Sequence, residues 1–407
     1  RKAPTPTGTA RPTSDRTPTP GKVIRPKGHT PTGITRQPVD TANKEGGRTP
    51  ENSRPTSSTR TSSSKSSTRS SAKSQTKTPF KPTPVMLIGV MAILLIAGVV
   101  FAQFNKSDSP SVDPVTTTTV AATRQASDDD LLANATRLVH EGLHSGTTTV
   151  EIKSGYGLTV KDEIRSLHIA KQLTEETTFL GAHVVPSEYK GKADEYVDLI
   201  CEQMITQVKP YAKWIDVFCD KGAFTTDQAR KILLAGKAAG LLPRLHANQL
   251  AQGDGITLGV EVGAASVDHI SHFSNDDIEL LKKSKTVATF LPGAEFSTRS
   301  AYPDVRPLLE ASITVALASD CNPGSSYTTS MAFIMAIAVR EMHFSPEQAL
   351  WSATMGGAKA LRRDDIGHLF EGARADFSIL NADSYIHLAY RPGVQLIEQV
   401  WRDGLQI

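Results

Sequence analysis

Several histidines and one aspartate follow apolar runs of the sequence, where their side chains could do chemistry. They are His183, His246, His269, His272 and Asp320. One histidine on an apolar strand is usually a packed core residue, but imidazoles and a carboxylate gathered at one place suit a metal site with acid–base groups. Such ligands favour zinc or ferrous iron, which would activate a water molecule. We expect Asp320 to be both ligand and general base, and His269 to stabilise an oxyanion.

The segment SDCNPGSS at 319–326 is the clearest candidate site. It follows the apolar run 313–318, which predicts a buried strand ending in a carboxylate. The turn behind Asp320 would offer backbone N–H groups and small hydroxyls to an anion. A strand-ending turn capped by Asp and Asn is the alternative interpretation. His272 is expected to be structural or exposed, and His140 and His144, four apart on a predicted helix, are expected to lie on the surface.

Strands and helices alternate over residues 120–360, which predicts a parallel sheet with right-handed crossovers. The chemically interesting residues end strands, as they do at the active-site face of a (β/α)8 barrel. Seven strands are predicted rather than eight, at 148–152, 178–182, 215–219, 243–246, 265–269, 286–291 and 313–319. Residues 361–407 carry two further strand-like stretches, 375–380 and 395–401, and predict a small C-terminal β-unit.

A set of motifs in a fixed order makes the chain similar to a known family. They are VEIKSGYG at 150–157, TFLGAH at 178–183, LHANQ at 245–249, VDH at 267–269, LPGA at 291–294, ASDCNPGS at 318–325 and GHLFEGARAD at 367–376. Over about residues 120–407 the chain resembles imidazolonepropionase of the amidohydrolase superfamily. The resemblance implies hydrolysis of the ring amide of 4-imidazolone-5-propanoate to N-formimidoyl-L-glutamate in histidine degradation. It also implies one zinc or iron ion and a cytoplasmic enzyme, and a homodimer is compatible with it.

The resemblance also implies roles for particular residues. His246 and Asp320 match metal ligands, and His269 matches the catalytic histidine. Gln249 stands where the family places a group near the ring and the attacking water. Five residues match substrate contacts: Tyr156, His183, Asn322, Gly324 and Ser325.

One family motif is absent. The family's first barrel strand ends in His-x-His, which supplies two more ligands, and no His-x-His occurs in this sequence. The fold expected is therefore an incomplete (β/α)8 TIM barrel of the amidohydrolase type. A metal held by fewer ligands should bind more weakly, so we expect little turnover from this chain alone. The expected origin is part of an imidazolonepropionase joined to an unrelated N-terminal part near residues 115–120, either by a real rearrangement or by an error of assembly or reading frame.

The N-terminal part has a different composition. Residues 1–84 hold 17 Lys and Arg against four Asp and Glu, with dense Pro, Ser and Thr, and predict a disordered basic tail. Without interleaved aromatic residues, the tail is not expected to bind nucleic acid specifically. Residues 85–104 contain an uncharged apolar run long enough for a transmembrane helix, and 105–119 predict a linker. The basic flank places the N-terminus in the cytoplasm and the remainder outside.

A second hypothesis follows from these N-terminal segments. The protein would be a single-pass membrane protein whose C-terminal region is a non-catalytic amidohydrolase remnant. Three cysteines in 407 residues, an odd and sparse count, argue against a disulfide framework in the globular part.

Overall fold

The computed structural model describes residues 114–407, with side chains from Thr116 onward. The predicted basic tail, the predicted transmembrane helix at 85–104 and the first part of the predicted linker lie outside the described residues. Within the part of the chain that the structure describes, no helix is long and apolar enough to cross a membrane.

A curved parallel sheet forms the centre of the described domain. Its hydrogen-bonded order is β1-β2-β3-β5-β6-β7-β8, and the short β4 pairs with the first half of β3. The strands are β1 (Ile152–Lys153), β2 (Thr177–Ala182), β3 (Trp214–Cys219), β4 (Leu242–Pro243), β5 (Leu245–Ala247), β6 (Ser266–His269), β7 (Val287–Phe290) and β8 (Val315–Leu317). Six of the seven predicted strand positions are confirmed, although the one at 243–246 is divided into β4 and β5. The strand predicted at 148–152 is reduced to the two residues Ile152–Lys153 and overlaps its predicted range only at Ile152. Among the described strands none joins β8 to β1, so the sheet is an open part of a barrel.

Helices follow the strands and cover the outside of the sheet. They are α1 (Pro114–Gln125), α2 (Asp128–His144), α3 (Val160–Lys171), α4 (Ala193–Leu199), α5 (Ile205–Val208), α6 (Thr226–Ala238), α7 (Gly255–Val262), α8 (Asn275–Lys282), α9 (Pro292–Thr298), α10 (Arg306–Glu310), α11 (Met331–Glu341), α12 (Pro346–Trp351), α13 (Gly357–Ala360) and α14 (Ile386–Tyr390). Single π-turns at Ile200–Met204 and Ser352–Gly356 continue α4 and α12, and a 3-10 turn occupies Ser187–Tyr189.

Several helices begin at side-chain caps that the sequence indicates. Ser127 accepts the N–H of Asp130 ahead of α2, whose first turn is acidic. Thr225 and Gln228 form a reciprocal capping box on α6, and Ser274 does the same with Asp277 on α8. These caps satisfy amide groups that a helix leaves unpaired, and they fix where each helix starts.

Helix α1 differs from the sequence prediction. Residues 105–119 predict a linker, yet from Pro114 onward the Thr-rich segment is helical. Its propensity is poor because threonine is β-branched. The helix is held by distant contacts: Arg124 donates from Nε to the carbonyl of Gly157 at 2.7 Å and pairs with Glu188 at 2.8 Å. Tertiary contacts therefore override local propensity here.

The core lies between the sheet and its helices, and a small β-unit adjoins it. Trp214, Tyr196, Phe179 and Phe290 are among its largest fully buried side chains. The C-terminal unit is an antiparallel sheet of β9 (Phe377–Leu380), β10 (Ile397–Arg402) and β11 (Leu405–Gln406), of which β11 was not predicted.

Candidate functional site

The carboxyl ends of the parallel strands carry unusual backbone conformations. Asn248, His269, Ile270 and Asp320 all have positive φ, at 53°, 74°, 40° and 54°. Non-glycine residues rarely adopt this region, and such strain persists where the surrounding structure imposes it. The four residues follow or end β5, β6 and β8, so the strained positions share the carboxyl end of the sheet. This is the end that sequence reasoning assigned to the site.

His246, on β5, is held by two contacts with Asp216 on the neighbouring β3. The backbone N–H of His246 donates to Oδ1 of Asp216 at 3.2 Å, and its Nδ1 lies 2.9 Å from Oδ2. Burial alone would lower the pKa of His246, but the buried carboxylate of Asp216 outweighs it and raises that pKa above its ordinary value. His246 is thus oriented through both its backbone and its ring.

Asp216 is fully buried and in turn contacts Lys153 on β1. Nζ of Lys153 lies 2.8 Å from Oδ2 of Asp216, 2.8 Å from Oε1 of Glu151 and 3.5 Å from Oδ2 of Asp268. Burial would raise the pKa of Asp216, but the charges of His246 and Lys153 hold it far below its usual range. Burial would lower the pKa of Lys153, and the carboxylates reverse that shift. Arg244, 2.6 Å from Glu151, completes the network.

Sequence reasoning missed Asp216 and Asp268 as site residues. The ligand atoms of Asp216, His246 and Asp268 lie within 4.8 Å of one another, and all three residues are buried. These donor types could hold a metal ion, but Nζ of Lys153 already contacts both carboxylates. Oδ1 of Asp268 has no hydrogen-bond partner among the described residues. An isolated acid inside the apolar run WIDVFC, and one directly before His269, were the available signals.

His269 lies beside His246, with ring centroids 5.2 Å apart. Burial lowers the pKa of His269 to about 4, although the nearby charge of Asp320 opposes that shift. The imidazole is therefore neutral near pH 7. Its Nδ1 finds no hydrogen-bond partner in the described part of the chain, so this atom is available to a substrate or an ion.

The carboxylate of Asp320 is held by the loop that follows it. Nδ2 of Asn322 donates to Oδ1 at 2.8 Å, and Oγ of Ser325 donates to Oδ2 at 2.8 Å. Oδ1 of Asn322 accepts the backbone N–H groups of Gly324 and Ser325, at 2.7 and 2.9 Å. The turn therefore satisfies these two N–H groups internally, through an Asx-type turn, whereas the sequence analysis expected them to face an anion.

Tyr156 and His183 follow β1 and β2 and lie in contact with each other. Their rings meet edge to face, with centroids 5.1 Å apart, and Nδ1 of His183 lies 3.0 Å from the carbonyl of Gly155. Burial lowers the pKa of His183 to about 4. A methyl group added to Gly324 would stand 3.4 Å from the hydroxyl of Tyr156. The Tyr156 loop and the Asp320 loop therefore approach each other, as substrate contacts at one site require.

Gln249 follows His246 in a loop held by Asp220. The backbone N–H groups of Gln249 and Leu250 donate to Oδ2 of Asp220, at 2.6 and 2.9 Å. Glu295, at the start of α9, is a further carboxyl near Asp320, and it accepts a hydrogen bond of 2.5 Å from Ser271. Burial raises the pKa of Glu295, and the charge of Asp320 adds to the shift. Sequence reasoning did not select this residue.

Known proteins resemble this chain in sequence and in fold. A model of the amidohydrolase family matches residues 116–405. Imidazolonepropionase from Salinispora arenicola is 59% identical over 318 residues, which cover 77% of this chain and 81% of the relative. The same enzyme from Mycolicibacterium smegmatis is 61% identical over 287 residues, covering 70% and 72% of the two chains.

Solved structures share the fold at low identity. Guanine deaminase from C. acetobutylicum, with bound guanine in its active site, gives a TM-score of 0.56 at 16% identity and covers 70% of this chain and 77% of its own. Atrazine chlorohydrolase from Arthrobacter aurescens, complexed with zinc, gives a TM-score of 0.54 at 16% identity, with 72% and 75% covered.

Proposed function

Because this chain belongs to the amidohydrolase family, among the imidazolonepropionases, we propose that it hydrolyses the ring amide of 4-imidazolone-5-propanoate to N-formimidoyl-L-glutamate. The resemblance noted from the motifs is thereby confirmed. The observation that carries the proposal is the arrangement at the carboxyl ends of the strands. There, His269 lies beside His246 and near the charge of Asp320, and the hydroxyl of Tyr156 lies close to Gly324 in the Asp320 loop.

The metal of this family would be held by His246 and Asp320. The fit rests on two observations. Nδ1 of the buried His269, beside His246, has no hydrogen-bond partner among the described residues, and the carboxylate oxygens of the half-buried Asp320 are fixed by Asn322 and Ser325. One zinc or iron ion would polarise the ring carbonyl and make water a better nucleophile. Imidazole and carboxylate ligands suit both metals.

Asp320 would take the proton of the attacking water. Its two oxygens already accept hydrogen bonds from Asn322 and Ser325, which hold the carboxylate in one orientation while leaving further lone pairs. His269 would contact the oxygen that becomes negative on the attacked carbonyl. Its low pKa keeps the ring neutral, and a neutral imidazole retains one N–H group that can donate a hydrogen bond to this oxygen.

Tyr156, His183 and Ser325 would bind the imidazolone ring, and Gln249 would lie beside the attacking water. Asn322 and Gly324 would line the propionate side. In this structure Asn322 braces the turn, so its contribution to substrate binding would come mainly from the loop shape that it enforces.

Purified full-length chain supplied with imidazolonepropionate and excess Zn²⁺ or Fe²⁺ tests the proposal. Since only two of the family's ligands are identified here, we expect weak metal binding and turnover that depends on added metal. Asp320→Asn and His269→Asn should each lower kcat by about 100-fold or more, as losses of a catalytic base or an oxyanion donor do. Lys213→Met is the control and should leave kcat unchanged. Lys213 pairs with Glu176 near the start of β3, whereas the candidate site lies at the carboxyl ends of the strands. No turnover at any metal concentration would refute the proposal.

Membrane attachment through residues 85–104 is a separate proposal, and it rests on the apolar run alone. Cell fractionation tests it, and recovery of the chain wholly in the soluble fraction would count against it.

A further inference from the structure

The ammonium group of Lys153 lies inside the cluster that could bind a metal. Nζ is 2.8 Å from Oδ2 of Asp216 and 3.5 Å from Oδ2 of Asp268. These two carboxylates, with His246, are the three buried groups whose ligand atoms lie within 4.8 Å of one another. Two of the three candidate ligands are therefore in contact with a cation that belongs to the chain itself.

Lys153 is firmly placed there. Its ammonium also contacts Oε1 of Glu151 at 2.8 Å, and only 22% of its side chain is exposed. Glu151 is fixed in turn by Arg244, at 2.6 Å. A divalent ion bound by the Oδ2 atoms of Asp216 and Asp268 would lie within about 5 Å of this ammonium, since metal–oxygen bonds are about 2.1 Å long. At that distance two positive charges repel strongly even with protein screening, which disfavours an ion beside the ammonium.

Asp216 has another partner that a metal would disturb. Its Oδ1 accepts the backbone N–H of His246 at 3.2 Å, and its Oδ2 faces Nδ1 of the same residue at 2.9 Å. A carboxylate against one ring nitrogen of a histidine fixes the ring and leaves the other nitrogen as the ligand atom. With its charge balanced by Lys153, Asp216 can orient His246 without binding an ion directly.

We propose that Lys153 is the resident cation of the Asp216–His246–Asp268 cluster. It excludes a divalent ion from the two carboxylates and keeps Asp216 as the orienting partner of His246, so that the centre accepts one ion and not two. The inference rests on the proposed function only for the ion at His246. Counting bound ions requires no turnover, so a failure here is distinct from a failure of the proposed reaction.

Metal binding by the full-length chain tests the proposal. The parent, Lys153→Met and Lys213→Met are stripped with chelator and dialysed against Zn²⁺. The ions bound per chain are then counted by mass spectrometry. Removing the ammonium while keeping its aliphatic stem should raise the count by about one ion per chain. Lys213→Met removes a lysine from another buried carboxylate, Glu176, and should leave the count at the parental value.

Three further variants keep the test decisive if Lys153→Met folds poorly. Lys153→Met with Glu151→Gln removes one charge of each sign, and it should also gain the ion. Adding Asp216→Asn to either variant should abolish the gain, and Co²⁺ absorption in the visible range should show the same pattern. An unchanged ion count in both the single and the charge-balanced variant would overturn the proposal, as would a gain that persists without Asp216.

Discussion

Gly293 supports the Asp320 loop without touching any candidate catalytic atom. A Cβ at this position of α9 would stand 2.4 Å from Oγ of Ser326 and 3.1 Å from Cδ1 of Ile334. Ser326 is 2% exposed, and its hydroxyl donates to the carbonyl of Ser319 at 2.9 Å, directly before Asp320. Gly293→Ala must therefore displace Ser326 and break the hydrogen bond that anchors the loop.

The expected cost combines two effects. Overpacking of a filled site costs roughly 1–3 kcal/mol, and the loss of a partly buried hydrogen bond costs about 1 kcal/mol. We expect Gly293→Ala to lower the free energy of unfolding by about 2–4 kcal/mol, measured by urea denaturation. Turnover and metal content should fall as well, because the loop carries Asp320.

Gly357 offers a matched control. It begins α13 with no atom within 4 Å of a Cβ, so Gly357→Ala should be neutral or should stabilise by up to about 1 kcal/mol. Ser326→Ala should recover part of the loss when it is combined with Gly293→Ala, since it removes the clashing oxygen. If Gly293→Ala were as stable as Gly357→Ala, or if the double variant showed no coupling, the steric argument would be refuted.

Three further predictions concern pH and the β-unit. Burial raises the pKa of Glu163, so the folded state holds this proton more tightly, and stability should fall as pH rises above 4.5; Glu163→Gln should remove that slope in urea titrations from pH 4.5 upward. The pKa of His183 is lowered to about 4, so stability should be lost as pH falls from 6.5 to 4, and His183→Asn should lessen that loss in thermal melts over the same range. Arg374 pairs with Asp376 and donates to Oγ1 of Thr149 at 2.5 Å. Arg374→Met should therefore lower the free energy of unfolding by about 1–3 kcal/mol and make residues 376–407 more sensitive to limited proteolysis. The control Arg391→Met should have neither effect.

The strands and the site face were predictable because their signals are local. Apolar runs mark the buried parallel strands, and His183, His246, His269 and Asp320 each follow or end such a run. Parallel strands bring their carboxyl ends to one edge, so residues far apart in sequence could be assigned to one site without any pairwise contact being known.

The charge network beneath the site was not predictable, because its partners are distant in sequence. In the sequence, Asp216 is a single acidic residue in an apolar strand. Its function depends on Lys153, two strands away in the sheet, and on His246, on the next strand. Helix α1 was not predicted for a similar reason. Its threonines favour other conformations, and the helix is stabilised by contacts of its Arg124 with Gly157 and Glu188, which are distant in sequence. Long-range charge contacts leave no periodic pattern in the sequence.

Because the sheet is open, its end strands should unfold locally before its central strands. Within the described residues β1 and β8 are each hydrogen-bonded on one side only, and β1 is just Ile152–Lys153. Amides of such end strands exchange with solvent through local opening, at lower free energy than those of β3 and β5. Each opening of β1 withdraws Lys153 from Asp216 and briefly leaves the buried carboxylates unbalanced. The chemistry of the site should therefore fail before the helices and the central strands melt.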